Sequence, residues 1–158
     1  MTWERGREVV DRLLGDGEIE RVEASNEVAN RLLSAAEAHV RLAGMGLAED
    51  PEGALQLSYD AARKASAALL ATQGLRATSR GGHIAVVDTV RAQFNDRGGL
   101  PVFGQINRLR RRRNDTEYPS ATTPGVTPEE AAQALGIAQD TIEAAHKLLD
   151  SGRLDTYT

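Results

Sequence analysis

Small and apolar residues recur at alternating spacings of four and three between residues 22 and 47, a pattern that is typical of an amphipathic helix. The positions are Val22, Ala29, Leu33, Ala36, Val40, Ala43 and Leu47, and Asn26 takes the remaining place in the series. Gly44 and Gly46 lie near the end of this run. Pro51 with its flanking acidic residues then marks the end of this helix and the start of the next.

The next predicted helix, residues 51 to 74, carries two apolar stripes instead of one. One stripe consists of Leu55, Tyr59, Ala62, Ser66 and Leu69, and the other of Ala54, Leu57, Ala61, Ala65 and Ala68. Two buried faces predict a central helix, and the alanines allow a neighbouring helix to approach closely. Gly74 suits the position just past the helix end.

The remaining segments also have helical spacing. A shorter helix after the Gly81-Gly82 break is indicated by Ile84, Val87, Val90 and Phe94, although valines also suit a strand. Residues from 102 to about 114 predict another helix, and Thr127-Pro128-Glu129-Glu130 has the form of a capping box ahead of the last one. We therefore predict one all-α domain over residues 1–158, an antiparallel bundle of four to five helices.

Composition narrows the possible chemistry. Cysteine is absent, and His39, His83 and His146 lie outside any metal-ligand spacing, so neither a metal nor a cofactor is expected. The N-terminus is charged where a signal peptide is apolar, and no run approaches the ~20 apolar residues of a membrane span. We therefore expect a cytoplasmic protein with no membrane association.

Positive charge is concentrated in one part of an otherwise acidic chain with a formal net charge of −4. Five of the 19 basic residues fall within six consecutive positions, namely Arg108, Arg110, Arg111, Arg112 and Arg113. At about 100° per residue from Phe103, a buried face is predicted to contain Ile106, Arg110, Arg113, Asn114 and Glu117. Arg108, Arg111 and Arg112 are then predicted to add exposed charge. The alternative is a structural helix end, where arginines complement the helix dipole and Glu117 pairs with one of them.

Three segments resemble the small HEPN domains of bacteria. They are LQLSYDAARKASAALLATQGL (55–75), HIAVV (83–87) and RRRRNDTEYP (110–119). HEPN domains are α-helical bundles that are frequently dimeric, and many are metal-independent ribonucleases. Their motif is an Arg, usually a polar residue such as Asn, then four to six residues to a His, with a Tyr two positions later in toxin members. The resemblance implies a HEPN-like bundle that contacts RNA or a nucleotide.

The motif can be placed on this chain in two ways. With Arg113-Asn114 as its start, Glu117 and Tyr118 come too early; with Glu117-Tyr118 as its end, Arg111 stands at the arginine and Thr116 at the histidine. Neither placement supplies the family histidine, whose proton transfer is worth roughly 10²–10⁴-fold.

Site roles follow from the resemblance as expectations. Arg113 would stabilise the phosphorane charge, Asn114 would orient it, Glu117 would act as the base, and Tyr118 would donate a hydrogen bond or stack. RNA would be bound by Arg108, Arg110, Arg111 and Arg112. His83 is expected to cap or hydrogen-bond the start of its helix, and Asp60 is expected to pair with Arg63, either buried or at the surface.

We interpret the chain as an RNA- or nucleotide-interacting domain. The resemblance extends this to a metal-independent endoribonuclease or a toxin-like component of a defence or toxin–antitoxin system, with an antitoxin or another protein as partner. The alternative is a non-catalytic dimerisation or protein-interaction module, which suits the missing histidine. A homodimer is expected from the family's habit and from the two apolar faces of the second helix.

Overall fold

Six α-helices and one two-stranded antiparallel sheet make up residues 3–94 and 102–158, the parts of the chain that the computed structural model describes. In chain order they are α1 (Arg7–Gly15), β1 (Ile19–Arg21), α2 (Asn26–Gly46), α3 (Pro51–Gln73), β2 (Leu75–Ala77), α4 (Gly82–Phe94), α5 (Val102–Glu117) and α6 (Pro128–Asp150). The predicted all-α helical bundle is confirmed, but the described residues form six helices where four to five were predicted. The sequence pattern did not indicate β1 and β2, and it gave no definite assignment to α1.

The small sheet explains why α2 begins later than its apolar series suggested. Ile19 pairs with Ala77 and Arg21 with Leu75, and the Val22 N–H continues this pairing by donating to the Gly74 carbonyl at 2.9 Å. Val22 is therefore extended backbone. The helix begins at Asn26, where the side chain of Ser25 accepts a hydrogen bond from Val28 N–H as the N-cap.

The predicted central helix is confirmed. α3 packs against α2, α6, α4 and α5, and both of its apolar stripes lie inside the molecule except at Leu57, which is half-buried. It ends at Gly74, which adopts the left-handed conformation with φ 76°. Because neighbouring helices of the same chain cover both faces, these faces do not offer the surface for a second copy that the sequence suggested.

The segment after the Gly81-Gly82 break is helical, so the strand alternative is wrong. Gly81 lies so close to β1 that a Cβ placed on it would stand 1.9 Å from the Glu18 carbonyl oxygen, which leaves room only for glycine. The start of α4 lies beside Tyr59 and its end beside Gln73, through contacts of His83 and Gln93. α4 therefore runs in the same direction as α3, with its first turn beside the N-terminal half of α3, so this pair departs from the predicted antiparallel arrangement.

The last residues of the chain pack against its first helix. The Tyr157 ring is 4% exposed and stacks edge-on with Trp3, with ring centroids 4.9 Å apart. The guanidinium groups of Arg7 and Arg21 lie 5.1 and 4.7 Å from the centroid of the Tyr157 ring. The Tyr157 N–H also donates to the Gln73 carbonyl at 2.8 Å, which fixes this segment to the end of α3.

Within the described parts of the chain, no helix is both long enough and apolar enough to cross a membrane.

Candidate functional site

A cavity of about 410 Å³ opens where α3, the first turn of α4 and the last turns of α5 meet. We call it the Arg113 cavity. It is lined by Gly53, Gln56, Leu57, Tyr59, Asp60, His83 and Arg113. Tyr59 and Asp60 are consecutive residues of α3, so one faces the core while the other reaches the edge of the cavity. The cavity brings together side chains that three helices supply.

Tyr59 is the most deeply buried polar side chain of this cavity, at 1% exposed. Its hydroxyl has no hydrogen-bond partner among the described residues. Burial raises the pKa of Tyr59 to about 12, although the positive charges of Arg63, Arg110 and Arg113 act in the opposite direction. The hydroxyl is therefore protonated at neutral pH and has an uncommitted donor in a position where leaving it unpaired is costly.

His83 lies against Tyr59, with ring centroids 5.7 Å apart. Although the residue is exposed overall, partial burial together with the charges of Arg63 and Arg113 lowers the pKa of His83 from its usual value of 6.5. Its imidazole is therefore mostly neutral at pH 7. The ring makes no hydrogen bond within the described residues, so the expected capping role at the start of α4 is wrong.

A cluster of side chains centred on the Asp60 carboxylate borders the cavity. Asp60 Oδ1 accepts from the guanidinium of Arg63, and Asp60 Oδ2 lies 2.9 Å from Lys64 Nζ and 3.2 Å from His39 Nε2. Although burial opposes it, hydrogen bonds from Lys64 and Arg63 lower the pKa of Asp60. The expected Asp60–Arg63 pair is present and partly buried. Arg63 and Lys64 therefore both pair with the one carboxylate of Asp60.

Only some of the polar residues that were predicted to share the buried face of α5 come together in the structure. Arg113 lines the cavity, and Arg110 is close enough for its charge to act on both Tyr59 and His83. Asn114 and Glu117, however, are exposed, so their predicted inward orientation is wrong. The buried residues of α5 continue from Leu109 to Thr116, half-buried Arg113 lies between them at spacings of four and three, and positions 114 and 117 fall beside that line.

Asn114 and Glu117 contact Arg113 but do not line the cavity. Arg113 Nη1 donates to Asn114 Oδ1 at 3.4 Å, and Arg113 Nη2 lies 3.8 Å from Glu117 Oε1. Tyr118 is 81% exposed at the end of the helix. Thr116, which takes the buried position, donates its hydroxyl to the Arg113 carbonyl at 2.8 Å.

Of the three arginines that were predicted to be exposed, two are exposed and one is not. Arg108 and Arg111 are exposed as expected. Arg112 instead pairs with α6, because its Nε donates to Glu130 Oε1 at 2.6 Å and its Nη2 donates to the Pro124 carbonyl at 2.9 Å. The prediction that Arg112 adds exposed charge is therefore wrong. Thr127 caps α6 as predicted by accepting from Glu130 N–H, but the Glu130 carboxylate binds Arg112.

Sequence reasoning missed His83 and Tyr59 as members of the site. Both belong to segments that carried the HEPN resemblance, which was the available signal, but each lies far from Arg113 along the chain.

The described residues contain no group of three or more His, Cys, Asp or Glu that could hold a metal ion. Comparison with family models, with curated proteins and with solved structures finds no match to this chain.

Proposed function

We propose that this chain is a HEPN-like RNA-interacting domain that binds the RNA phosphodiester backbone at the Arg113 cavity. The observation that carries the proposal is that Arg113 lines a cavity together with Tyr59, whose buried hydroxyl has no partner among the described residues, while the charges of Arg63 and Arg110 also act on Tyr59. Guanidinium groups donate in a fixed fork that matches phosphate oxygens, and a buried tyrosine hydroxyl adds a neutral donor.

Exposed positive charge on α5 extends the proposed site along a bound RNA strand. Arg108 and Arg111 lie on the solvent side of α5, within three turns of Arg113. Arginines spaced along a helix contact successive phosphates and release their counterions, even on a protein of net negative charge. A polymer of phosphodiesters therefore fits this surface better than a single nucleotide does.

RNA affinity of an Arg113→Ala variant tests the proposal. Fluorescence anisotropy with a labelled, fully 2′-O-methylated single strand measures binding without cleavage. We expect Arg113→Ala to weaken binding at least tenfold, and to reduce the salt dependence by about 0.7 units in the log–log slope for each lost phosphate contact. The matched control is Arg153→Ala, an exposed arginine beyond the C-terminal end of α6. Equal loss in both variants, or no loss in Arg113→Ala, would contradict a specific site.

The toxin-like role that the resemblance implies is part of this proposal. In that role, an antitoxin bound over the Arg113 cavity would prevent RNA from reaching Arg113. A gene for such a partner beside the gene for this chain, and co-purification of the two products, is the expected result.

The second candidate function is a homodimeric interaction module, and it rests on a different surface. An apolar groove of about 720 Å³ lies between the start of α2, the second half of α3, β2 and α4, and its wall includes Val28, Leu32, Leu70 and Val86. Val28 is 45% exposed. Two copies meeting at this groove would cover apolar surface that single chains leave in water.

Sedimentation at micromolar concentration tests this second candidate. We expect a species of twice 17.0 kDa that is lost in Val28→Glu but kept in Met45→Glu. Met45 is a matched control because it is an exposed apolar residue near the other end of α2, at 83% exposed. A monomer in the unmodified protein would exclude the dimer and leave the RNA proposal unaffected.

A further inference from the structure

The apolar groove between the start of α2 and α4, which we call the Val28 groove, lies along the second half of the central helix. Ala67, Leu70 and Ala71 line it from α3, and their spacing places them on one face of that helix. Since α2 and α4 both pack against α3, these three side chains lie between the two flanking helices. Alanines at this place allow a further helix to approach α3 closely.

The two sides of the Val28 groove are also apolar. Val28 and Leu32 lie one turn apart on α2, and Val86 lines the groove from α4. The groove has a volume of about 720 Å³, large enough to receive several apolar side chains, and Val28 is 45% exposed. A groove between two helices fits the apolar face of an amphipathic helix, whose anchoring residues recur at i, i+3, i+4 and i+7.

The charge at the Val28 groove is negative. Within the described parts of the chain, its charged lining residues are Glu23, Glu27 and Arg76. Arg76 already pairs with Glu20, because its Nε donates to Glu20 Oε1 at 2.9 Å. Glu23 and Glu27 are exposed, and their carboxylates make no ion pair or hydrogen bond with another described residue. An occupant with positive charge beside its apolar surface is therefore complementary to this groove.

The same two acids make a second copy of this chain a poorer occupant. In a symmetric pair that meets at the Val28 groove, each copy brings its own Glu23 and Glu27 to one interface. Like charges that are brought together across an interface lower the affinity. A partner with basic residues gains from the charges that a second copy would have to overcome.

We propose that the Val28 groove is the docking site for an amphipathic helix of a partner protein, with lysine or arginine beside its apolar face. The apolar face packs on the alanines of α3 between Val28 and Val86, and the basic residues pair with Glu23 and Glu27. This docking does not depend on RNA binding, because the described residues that line the groove do not line the Arg113 cavity.

A defined peptide tests the proposal. The probe is a fluorescein-labelled synthetic peptide of about 18 residues, long enough to form a helix when bound, with leucine at i, i+3, i+4 and i+7 and lysine on the flanking positions. One control peptide has glutamate in place of each lysine. Another has the composition of the lysine peptide in an order that spreads the leucines around the helix. By fluorescence anisotropy on the full chain, we expect the lysine peptide to bind at micromolar concentration and both controls to bind about tenfold more weakly or less.

A substitution on the wall of the groove tests the apolar contact. Val28→Ser should weaken binding of the lysine peptide about fivefold, because a side chain that the peptide covers loses its apolar atoms. Met45→Ser is the matched control, since Met45 is an exposed apolar residue of the same helix that does not line the groove. It should bind the lysine peptide as the unmodified protein does.

Reversal of the groove charge tests the choice of partner. The double variant Glu23→Lys with Glu27→Lys should prefer the glutamate peptide over the lysine peptide. The matched control is Asp11→Lys with Asp140→Lys, which changes the net charge equally at two exposed acids outside the groove. The control should keep the preference for lysine, because the peptide does not contact those positions.

Three results would overturn the assignment. The lysine peptide could bind no more tightly than the peptide with dispersed leucines, which would show that no helix face is recognised. Both charge-reversed proteins could change their preference alike, which would show attraction to the net charge and not to Glu23 and Glu27. A dimer of the unmodified protein that Val28→Glu dissociates in sedimentation would assign the groove to a second copy of this chain.

Discussion

At the scale of single residues, Tyr59 combines nearly complete burial with a hydroxyl that has no partner among the described residues. A buried, unpaired polar group costs about 1–3 kcal/mol, so a chain selected for stability alone would favour phenylalanine at this position. Tyr59 lines the Arg113 cavity with its hydroxyl closed to solvent, and in the proposed complex this hydroxyl becomes accessible and donates to a phosphate oxygen. Stability and binding therefore make opposite demands on this residue.

Tyr59→Phe is the variant that separates these demands. We expect its free energy of unfolding to be unchanged or higher by about 1 kcal/mol, because the desolvation cost of the hydroxyl is removed. RNA affinity should fall about tenfold, which corresponds to one hydrogen bond to a charged group of about 1.5 kcal/mol. Urea unfolding and anisotropy measure the two effects. A variant that is less stable but binds RNA normally would show that the hydroxyl serves the fold.

At the scale of elements, Arg112 joins α5 to α6. Its guanidinium binds Glu130 through two nitrogens and also donates to the Pro124 carbonyl, and its side chain is 17% exposed. A partly buried, bidentate pair has more effect on stability than an exposed one. It also holds the last turns of α5, and with them Arg113, in a fixed position relative to the rest of the bundle.

Arg112→Ala and Arg111→Ala should therefore behave oppositely. We expect Arg112→Ala to lower the free energy of unfolding by about 1–2 kcal/mol, because Glu130 keeps its charge and loses its partner. Its RNA affinity should change little at temperatures where it is folded. Arg111→Ala should change stability by less than about 0.5 kcal/mol, yet weaken RNA binding and flatten its salt dependence. Thermal melts and anisotropy on both variants check this, and reversed effects would restore Arg112 to the RNA-binding set.

At the scale of the whole molecule, Tyr157 closes the end of the fold opposite to the Arg113 cavity. It is held by Trp3, Arg7 and Arg21 and by the Gln73 carbonyl. Gln73 and Tyr59 are separated by about 21 Å of α3, at about 1.5 Å per residue. The two ends of the central helix therefore have separate roles, one in joining the chain termini and one in forming the cavity.

Tyr157→Ala is expected to lower the free energy of unfolding by about 3–4 kcal/mol, because a fully packed aromatic ring is lost. Tyr118→Ala is the control, since Tyr118 is 81% exposed, and it should change stability by less than about 0.5 kcal/mol. Denaturant unfolding measures both. Similar stability of the two variants would contradict the packing of the C-terminal segment against α1.

The sequence alone determined where most helices lie and how several of them begin and end, because these signals are local. Thr127 caps α6 and Gly74 ends α3 as predicted, since each acts on backbone groups within a few residues of itself. The two stripes of α3 likewise predicted a central helix, because helical periodicity depends only on spacing along the chain.

Only the tertiary structure decided the composition of the site. Val22 is extended because the distant Gly74 accepts its N–H, and Arg112 faces α6 because Glu130 is there to receive it. His83 reaches the Arg113 cavity because β2 returns the chain and Gly81 allows α4 to begin against Glu18. Each of these contacts joins residues far apart in sequence, and no local pattern specifies which distant group a side chain will meet.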